Sequence, residues 1–464
     1  MPVNGYNSGR IAATGPHLFK TEMLAELLDR ELEHFERTHQ RSIHQLQSAS
    51  RHFRGGVPMH WMADWGTPAP LVAREAVGAV LEDIDGHSYD DFCLGDTAAM
   101  FGHAPPAVVR AVGEQLARGF STMLPSPDLV AAGDLLSERF GYEFWQLTQT
   151  ASDANRCVIR WARAITGRPR VLVFDGCYHG MVDDSLVERL GEGTLAKPSL
   201  VGQFYSLGSG SVAIDFNDEN SLRRELARRD VALVLCEPVM TNTGMIEPLP
   251  GFLRLLRDLT SQTGTLLAFD ETHTQSSGRG GHARALGLEA DFIVVGKAIA
   301  GGFPCAVYGC RAEIGAAMDA IDRTRPAGHS GMGTTLAGNA LALAALCANL
   351  RDVATDEAYR AMLQGASRLQ AGLEALIASA GLSWPVCRVG ARVEIMFGTR
   401  RPQNAREARA DENAQLHRAL RVFLLNRGTL ITPFHGMMLV SPVTSGAQMD
   451  RLLKGFGNFL EACR

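Results

Sequence analysis

Long apolar runs are missing from this sequence. No stretch of its 464 residues approaches the twenty or so consecutive apolar positions that a membrane span needs. The opening "MPVNGYNSGRIAATGPHLFK" has no apolar segment of the kind a secretory leader carries, so a cytoplasmic protein with no membrane partner is expected. Charge of one sign is missing too. Forty-five Lys and Arg stand against 50 Asp and Glu, a net charge of -5, which argues against a nucleic-acid partner. The nine cysteines have no metal-ligand spacing; Cys305 and Cys310 are the nearest pair, and no histidine cluster accompanies them. No metal site is therefore expected. An odd cysteine count without a framework fits a reducing compartment. Internal repeats and low-complexity linkers are also lacking.

What remains is a globular composition, 46% hydrophobic and 20% charged. Leu24, Leu28, Leu32 and Phe35 recur at helical spacing and predict an amphipathic helix reaching about Gln47. "AVLEDIDGHSYDDF" alternates around an Asp-Gly turn and predicts a hairpin. Beyond Pro105, helical segments alternate with the apolar runs "RVLVFDG", "VALVLCEP", "TLLAFDE", "DFIVVGK" and "CAVYG". Near-continuous apolar runs separated by helices signify a mostly parallel sheet buried on both faces. The expectation is an α/β fold with a large doubly wound domain over residues 106–345. A smaller α+β domain would be built from residues 1–105 (an N-terminal helix and strands) and residues 346–464.

Ligands of open α/β sheets bind beyond the carboxyl ends of the strands. Just past those ends lie Asp175 to Gly180, Glu237, Asp270-Glu271 and Gly296-Lys297. The set holds a carboxylate, an aromatic ring and a lone lysine, with neither a metal constellation nor a nucleophile elbow. Pyridoxal phosphate calls for that inventory: a lysine for its aldehyde, an acid beside its ring nitrogen, an aromatic for stacking, and a helix N-terminus for its phosphate. Lys297, Asp270 and Tyr178 meet the first three needs. "TASDANRCVIRWARA" offers a helix start at Thr150, Ala151 and Ser152 for the fourth. Each residue alone has an ordinary structural reading, such as a solvated strand end or a helix cap. Their combination carries the inference.

The chain resembles class III aminotransferases. Within them it is most similar to glutamate-1-semialdehyde aminomutase and the related omega- and beta-amino acid aminotransferases. The resemblance rests on "GGVPMHWM", "DIDGHSYDDF", "FGHAPPAVVRAVGEQLARG", "TASDANRCVIRWARAITGR", "CYHG", "CEPVMTNTGMIEPLPGFLRLLRDLTSQTGTLLAFDE", "GKAIAGGFP" and "GTTLAGNALALAA". It implies PLP fold type I and a homodimer with shared active sites. Lys297 would carry the cofactor and move a proton, and Asp270 would pair with the ring nitrogen. Tyr178 and Thr272 would flank the ring, with Glu237 behind it. Ala151 and Ser152 would hold the phosphate, and Thr335 would reach the phosphate of the neighbouring subunit.

Two departures bear on the substrate. The aminomutase motif continues from Gly-Gly-Val to an arginine that grips a carboxylate, and here Met62 follows Trp61 at that place. A guanidinium fork has given way to an apolar wall, which disfavours the aminomutase reaction. Arg54 and Arg392 are the candidates for binding a substrate carboxylate. In "DETHTQSSGRGG", Thr272 and His273 also leave the family pattern. The expected activity is a ping-pong PLP-dependent aminotransferase acting on a small-molecule amino donor and keto acceptor. An aminomutase, or another PLP-dependent isomerase or lyase, is the alternative.

Overall fold

The computed structural model of the protein describes residue 19 and residues 21–464. The opening stretch of the sequence therefore lies, Phe19 aside, outside the described residues. At the centre is a seven-stranded sheet. Its spatial order is Phe144–Thr148, Ala306–Cys310, Phe292–Val295, Leu266–Asp270, Val231–Cys236, Arg170–Phe174 and Ser211–Ile214. The last five are mutually parallel, while Ala306–Cys310 runs antiparallel to both its neighbours. All five apolar runs read from the sequence are strands of this sheet. Leu267, Ala268, Val234 and Val294 have no exposed surface, because helices cover both faces.

Two strands of that sequence-read set position the chemistry. Asp270 lies opposite Val294 in the parallel register, and Lys297 stands three residues beyond Val294. Opposite charges thus leave the sheet from adjoining strands at one edge.

The two chain ends meet in a second body of structure. A four-stranded sheet joins Ala73–Val77, Val80–Asp83 and Ser88–Asp91 to Thr429–Leu430, which lies parallel to Ser88–Asp91. A three-stranded sheet follows, built from Val386–Val389, Arg392–Ile395 and Met437–Leu439. Leu24, Leu27 and Leu28 of the first helix pack with Leu420 and Phe423 of the helix Ala414–Leu425 and with Phe456 of the helix Gly446–Ala462. The hairpin falls where the sequence predicts it.

The N-terminal helix is shorter than expected. It runs Thr21–Thr38, and a second helix, Gln40–Ala49, starts after a break at His39. The break turns the His39 ring inward, stacked on Phe35 at 3.9 Å with its Nε2 2.8 Å from the Tyr89 hydroxyl. Asp85 closes the junction by accepting from the Arg41 and Ser42 amides at 2.7 and 3.0 Å. The fold also gathers His39, Asp83 and His87 into one group, a cluster invisible in their spacing. Asp83 there accepts from the His87 amide and ring and from the Tyr89 hydroxyl.

All nine cysteines are buried and free, as small apolar residues in apolar runs should be. They are spread over five apolar clusters: four around the large sheet, two beside Ile299 and Leu346, and one in each of the other three.

Candidate active site

Asp270 ends its strand 4% exposed and fully engaged. One carboxylate oxygen accepts from Asn155 Nδ2 and His179 Nδ1, both at 2.9 Å; the other accepts from the Thr272 amide at 3.1 Å. Burial alone would raise its pKa, but His179 and these donors hold the carboxyl below its ordinary range. His179 is its counterpart. Against burial, Cys177 and the Asp270 carboxylate push the ring up to about 10. Asp270 is thus an ionised acid in a dry setting, as a protonated pyridine nitrogen requires of its partner. The buried Thr272 hydroxyl beside it has no hydrogen-bond partner.

Lys297 leaves the neighbouring strand with φ 51°, in the left-handed region. That conformation costs a residue other than glycine about 1–2 kcal/mol and recurs where function holds a backbone in place. Gly296 before it allows the close approach, since a Cβ there would meet the Ala151 Cβ at 2.9 Å. The lysine turn is therefore packed on the start of the helix Ala151–Thr166. The Nζ donates to Asp96 Oδ2 at 2.9 Å and to His273 Nε2.

Behind each partner stands a further group. Asp96 is also 3.5 Å from Nη2 of Arg392, a fully buried guanidinium whose Nη1 donates to Thr97. Burial would raise the Asp96 pKa, yet Lys297 above all, with Arg392 among the rest, holds it well below the carboxylate range. The His435 ring pairs with Glu394 at 2.8 Å beside this group. On the other side, His273 Nδ1 lies 2.6 Å from the Thr241 hydroxyl, which donates to Glu237. Burial first, then the positive Lys297, keeps the His273 imidazole neutral. Burial also pushes Glu237 up.

The helix Ala151–Thr166 begins at Thr150, whose side chain accepts from the Asp153 amide. The Ala151 and Ser152 amides lead the helix, where no intrahelical acceptor exists. Ser152 Oγ accepts from the Met181 amide at 3.1 Å, holding the "CYHG" turn against the helix start. Gly180 is needed there: its φ is +83°, and a Cβ would come 2.0 Å from that same Oγ. These residues fit pyridoxal phosphate. An ionised buried acid, a strained lysine and an anion-binding helix start face one sheet edge, and the orphaned Thr272 hydroxyl sits beside them.

The sequence candidates divide on this geometry. Lys297, Glu237, Asp270 and Thr272 fall into bonded networks, with Ala151 and Ser152 packed alongside. Arg392 joins through Asp96. Tyr178 stands half-exposed next to His179. Arg54 lies exposed in the short turn Arg54–Gly56, and Thr335 is exposed on its own loop, neither bonded to the Lys297 group. Trp61 is 45% exposed, edge-on to Phe434 at 6.4 Å, and Met59 is exposed as well. Both stand on the surface, and Met62 next to Trp61 is half-buried. Asp96, Asn155 and Thr241 went unread in the sequence. Asp96 left one clue, a charged residue in a Gly-Asp-Thr turn directly after the apolar Phe92-Cys93-Leu94.

Residues 61–457 match the family model described as aminotransferase class-III. The chain belongs to that family. It is a PLP-dependent enzyme of fold type I, as the resemblance implied. It is 34% identical over 429 residues to glutamate-1-semialdehyde 2,1-aminomutase of Desulforudis audaxviator, covering 90% of this chain and 97% of that one. A crystal structure titled glutamate-1-semialdehyde-aminomutase, from Pseudomonas aeruginosa PAO1, superposes with a TM-score of 0.93. It is 42% identical, and the match covers 96% of this chain and all of that one. A beta-phenylalanine aminotransferase from Variovorax paradoxus superposes with a TM-score of 0.84 at 29% identity, over 94% and 97% of the two chains. Two of these three names, those of the relatives at 34% and 42% identity, favour the aminomutase alternative over the intermolecular transfer expected from the sequence.

Proposed function

We propose that this class III enzyme moves an amino group between two small molecules, an amine or amino acid donor and a keto acceptor bound in turn. One observation carries the reading. Asp96 sits 2.9 Å from Lys297 and 3.5 Å from Arg392, so the buried guanidinium that could seat a substrate carboxylate already faces an acid of this chain. Met62 in place of a guanidinium supports an amine-bearing substrate held by its charge and its apolar body rather than by a carboxylate clamp.

Bound pyridoxal phosphate supplies the electron sink that lets a proton leave the carbon bearing the amine. The rest falls to this chain. Lys297 would hold the cofactor, and its amine is the group placed to take up and return a proton. Asp270, kept ionised by Asn155 and His179, holds the ring nitrogen protonated. Tyr178 and Thr272 would flank the ring, and the Ala151 and Ser152 amides would hold the phosphate. Thr335, exposed on its loop, would serve the phosphate of a second copy in a homodimer.

A second reading, the aminomutase reaction, has the support of the relatives' names. The discriminating assay incubates the purified holoprotein with glutamate-1-semialdehyde alone, and separately with amine donors plus keto acids. Amino transfer that requires an external acceptor is the expected result. Isomerisation of the semialdehyde at a comparable rate without one overturns the proposal.

A further inference from the structure

The Lys297 amine stands between two carboxylates that differ in their hold on a proton. The geometry points to His273 and Thr241 as a proton wire that carries a proton from Lys297 to Glu237 and back. This rests on the reading of Lys297 as the cofactor lysine. It assigns His273, a departure from the family pattern, a part in the proton transfer.

The hydrogen bonds have a single consistent direction. The Lys297 ammonium donates to His273 Nε2; His273 Nδ1–H donates to Thr241 Oγ1; the Thr241 hydroxyl donates to Glu237 Oε2. A neutral imidazole satisfies all three, and burial keeps this one neutral. Movement along the chain balances without any other reactant. One proton passes from Nζ to Nε2, the Nδ1 proton passes to Oγ1, and the hydroxyl proton passes to the carboxylate. Lys297 ends as a free amine, Glu237 as a neutral acid, and His273 as the other neutral tautomer. The reverse sequence restores the start.

The two flanking carboxylates decide the direction. Asp96 touches the amine directly but, held far below its ordinary range by Lys297 and Arg392, it is a poor proton acceptor. Glu237 lies two bonds further along, and burial makes it the better acceptor. It is positioned for that role by the Thr241 amide at 3.3 Å and Asn242 Nδ2 at 3.1 Å. Moving the proton also neutralises the buried Glu237 carboxylate together with the partly exposed Lys297 ammonium, which removes the desolvation cost of the first. The other titratable groups facing this chain are Asp96 and Arg392, His435 with Glu394, and Asp270 with His179. Asp270 and His179 form a closed pair of their own, so Asp270 offers no competing acceptor.

The test follows uptake of pyridoxal phosphate by the cofactor-free protein, read by absorbance from about pH 6 to about pH 10. Uptake needs an unprotonated amine, so its rate rises with pH around a midpoint. His273→Gln and Thr241→Val both break the wire, the second while leaving the imidazole on Lys297. Each is expected to move the midpoint up by about one pH unit. A role confined to packing would change the amplitude or the stability but not the midpoint. An unmoved midpoint in Thr241→Val, which keeps side-chain shape and so carries the test even where His273→Gln folds poorly, overturns the wire. Lys297→Ala separates the two claims. If it still takes up cofactor with the wild-type spectrum, the reading of Lys297 fails; if uptake is lost while Thr241→Val keeps the wild-type midpoint, only the wire fails.

Discussion

Replacing Asp270 with Asn should remove a pH dependence of stability as well as activity. The carboxylate has three donors aimed at it, and an amide cannot serve all of them. With its oxygen toward Asn155 and His179, its NH2 faces the Thr272 N–H at the site of a 3.1 Å bond. The His179 ring, with no exposed side-chain surface, then loses its paired carboxylate. Breaking a buried pair on one side costs about 3–5 kcal/mol. The sign with pH follows from the two shifts. His179 is raised from 6.5 to about 10, so its stabilisation is complete below about 6.5 and disappears as pH rises through about 10. Asp270 is lowered, so its share is present above its ordinary 3.8 and lost as pH falls through the depressed value. Urea unfolding of the cofactor-free protein across this range should show wild-type stability declining between pH 6.5 and 10, and a flat, lower curve for Asp270→Asn. A variant that loses less than ~1 kcal/mol at neutral pH, or keeps the alkaline decline, would refute the ion pair.

Three other substitutions probe the same edge of the sheet. Gly180→Ala forces a side chain into the left-handed region and against Ser152, and should cost about 2–3 kcal/mol in chemical unfolding. Part of that cost should return in the double variant with Ser152→Ala, and strict additivity would count against the contact. Glu271 is fully buried and accepts from the Thr274 hydroxyl and from the His282 and Ala283 amides at 2.9 and 2.7 Å. Glu271→Ala should therefore cost about 3 kcal/mol by strand-end unfolding of three donors, and a thermal midpoint equal to wild type would rule this out. Asp96→Asn releases Arg392, and kcat/KM for carboxylate-bearing donors should rise about tenfold relative to plain amines. An unchanged ratio in steady-state kinetics would show that Arg392 does not read the substrate.

Much of this could be read from residue order because the buried strands are nearly pure in character. "TLLAFDE" and "DFIVVGK" have no polar interruption until the strand ends, so the charges that follow are forced to the sheet edge. Phe144–Thr148 escaped notice because it is an edge strand whose side chains alternate between exposed and half-buried. Ser211–Ile214 is only four residues long and opens on serine. The N-terminal helix looked continuous because its apolar spacing runs through His39, and only the partner Tyr89, fifty residues on, reveals why it breaks. The site divides similarly. Lys297, Asp270 and Glu237 were legible from position alone. Asp96, Asn155 and Thr241 come from a loop, a helix and a strand-to-loop crossing, and each acquires meaning only from what the fold sets beside it. Arg392 was named for its charge, but its pairing with Asp96 spans 296 positions of chain.

The nine buried thiols offer a clock. Every one of the five apolar clusters holds at least one of them, and none is tied up in a disulfide. An alkylating reagent reaches each sulfur only when its own cluster opens, so mass-spectrometric labelling over time would rank the clusters by the order in which they come apart. Cys93, beside the sheet that joins the two chain ends, and Cys236, on the strand leading to Glu237, would report separately on the frame and on the catalytic edge.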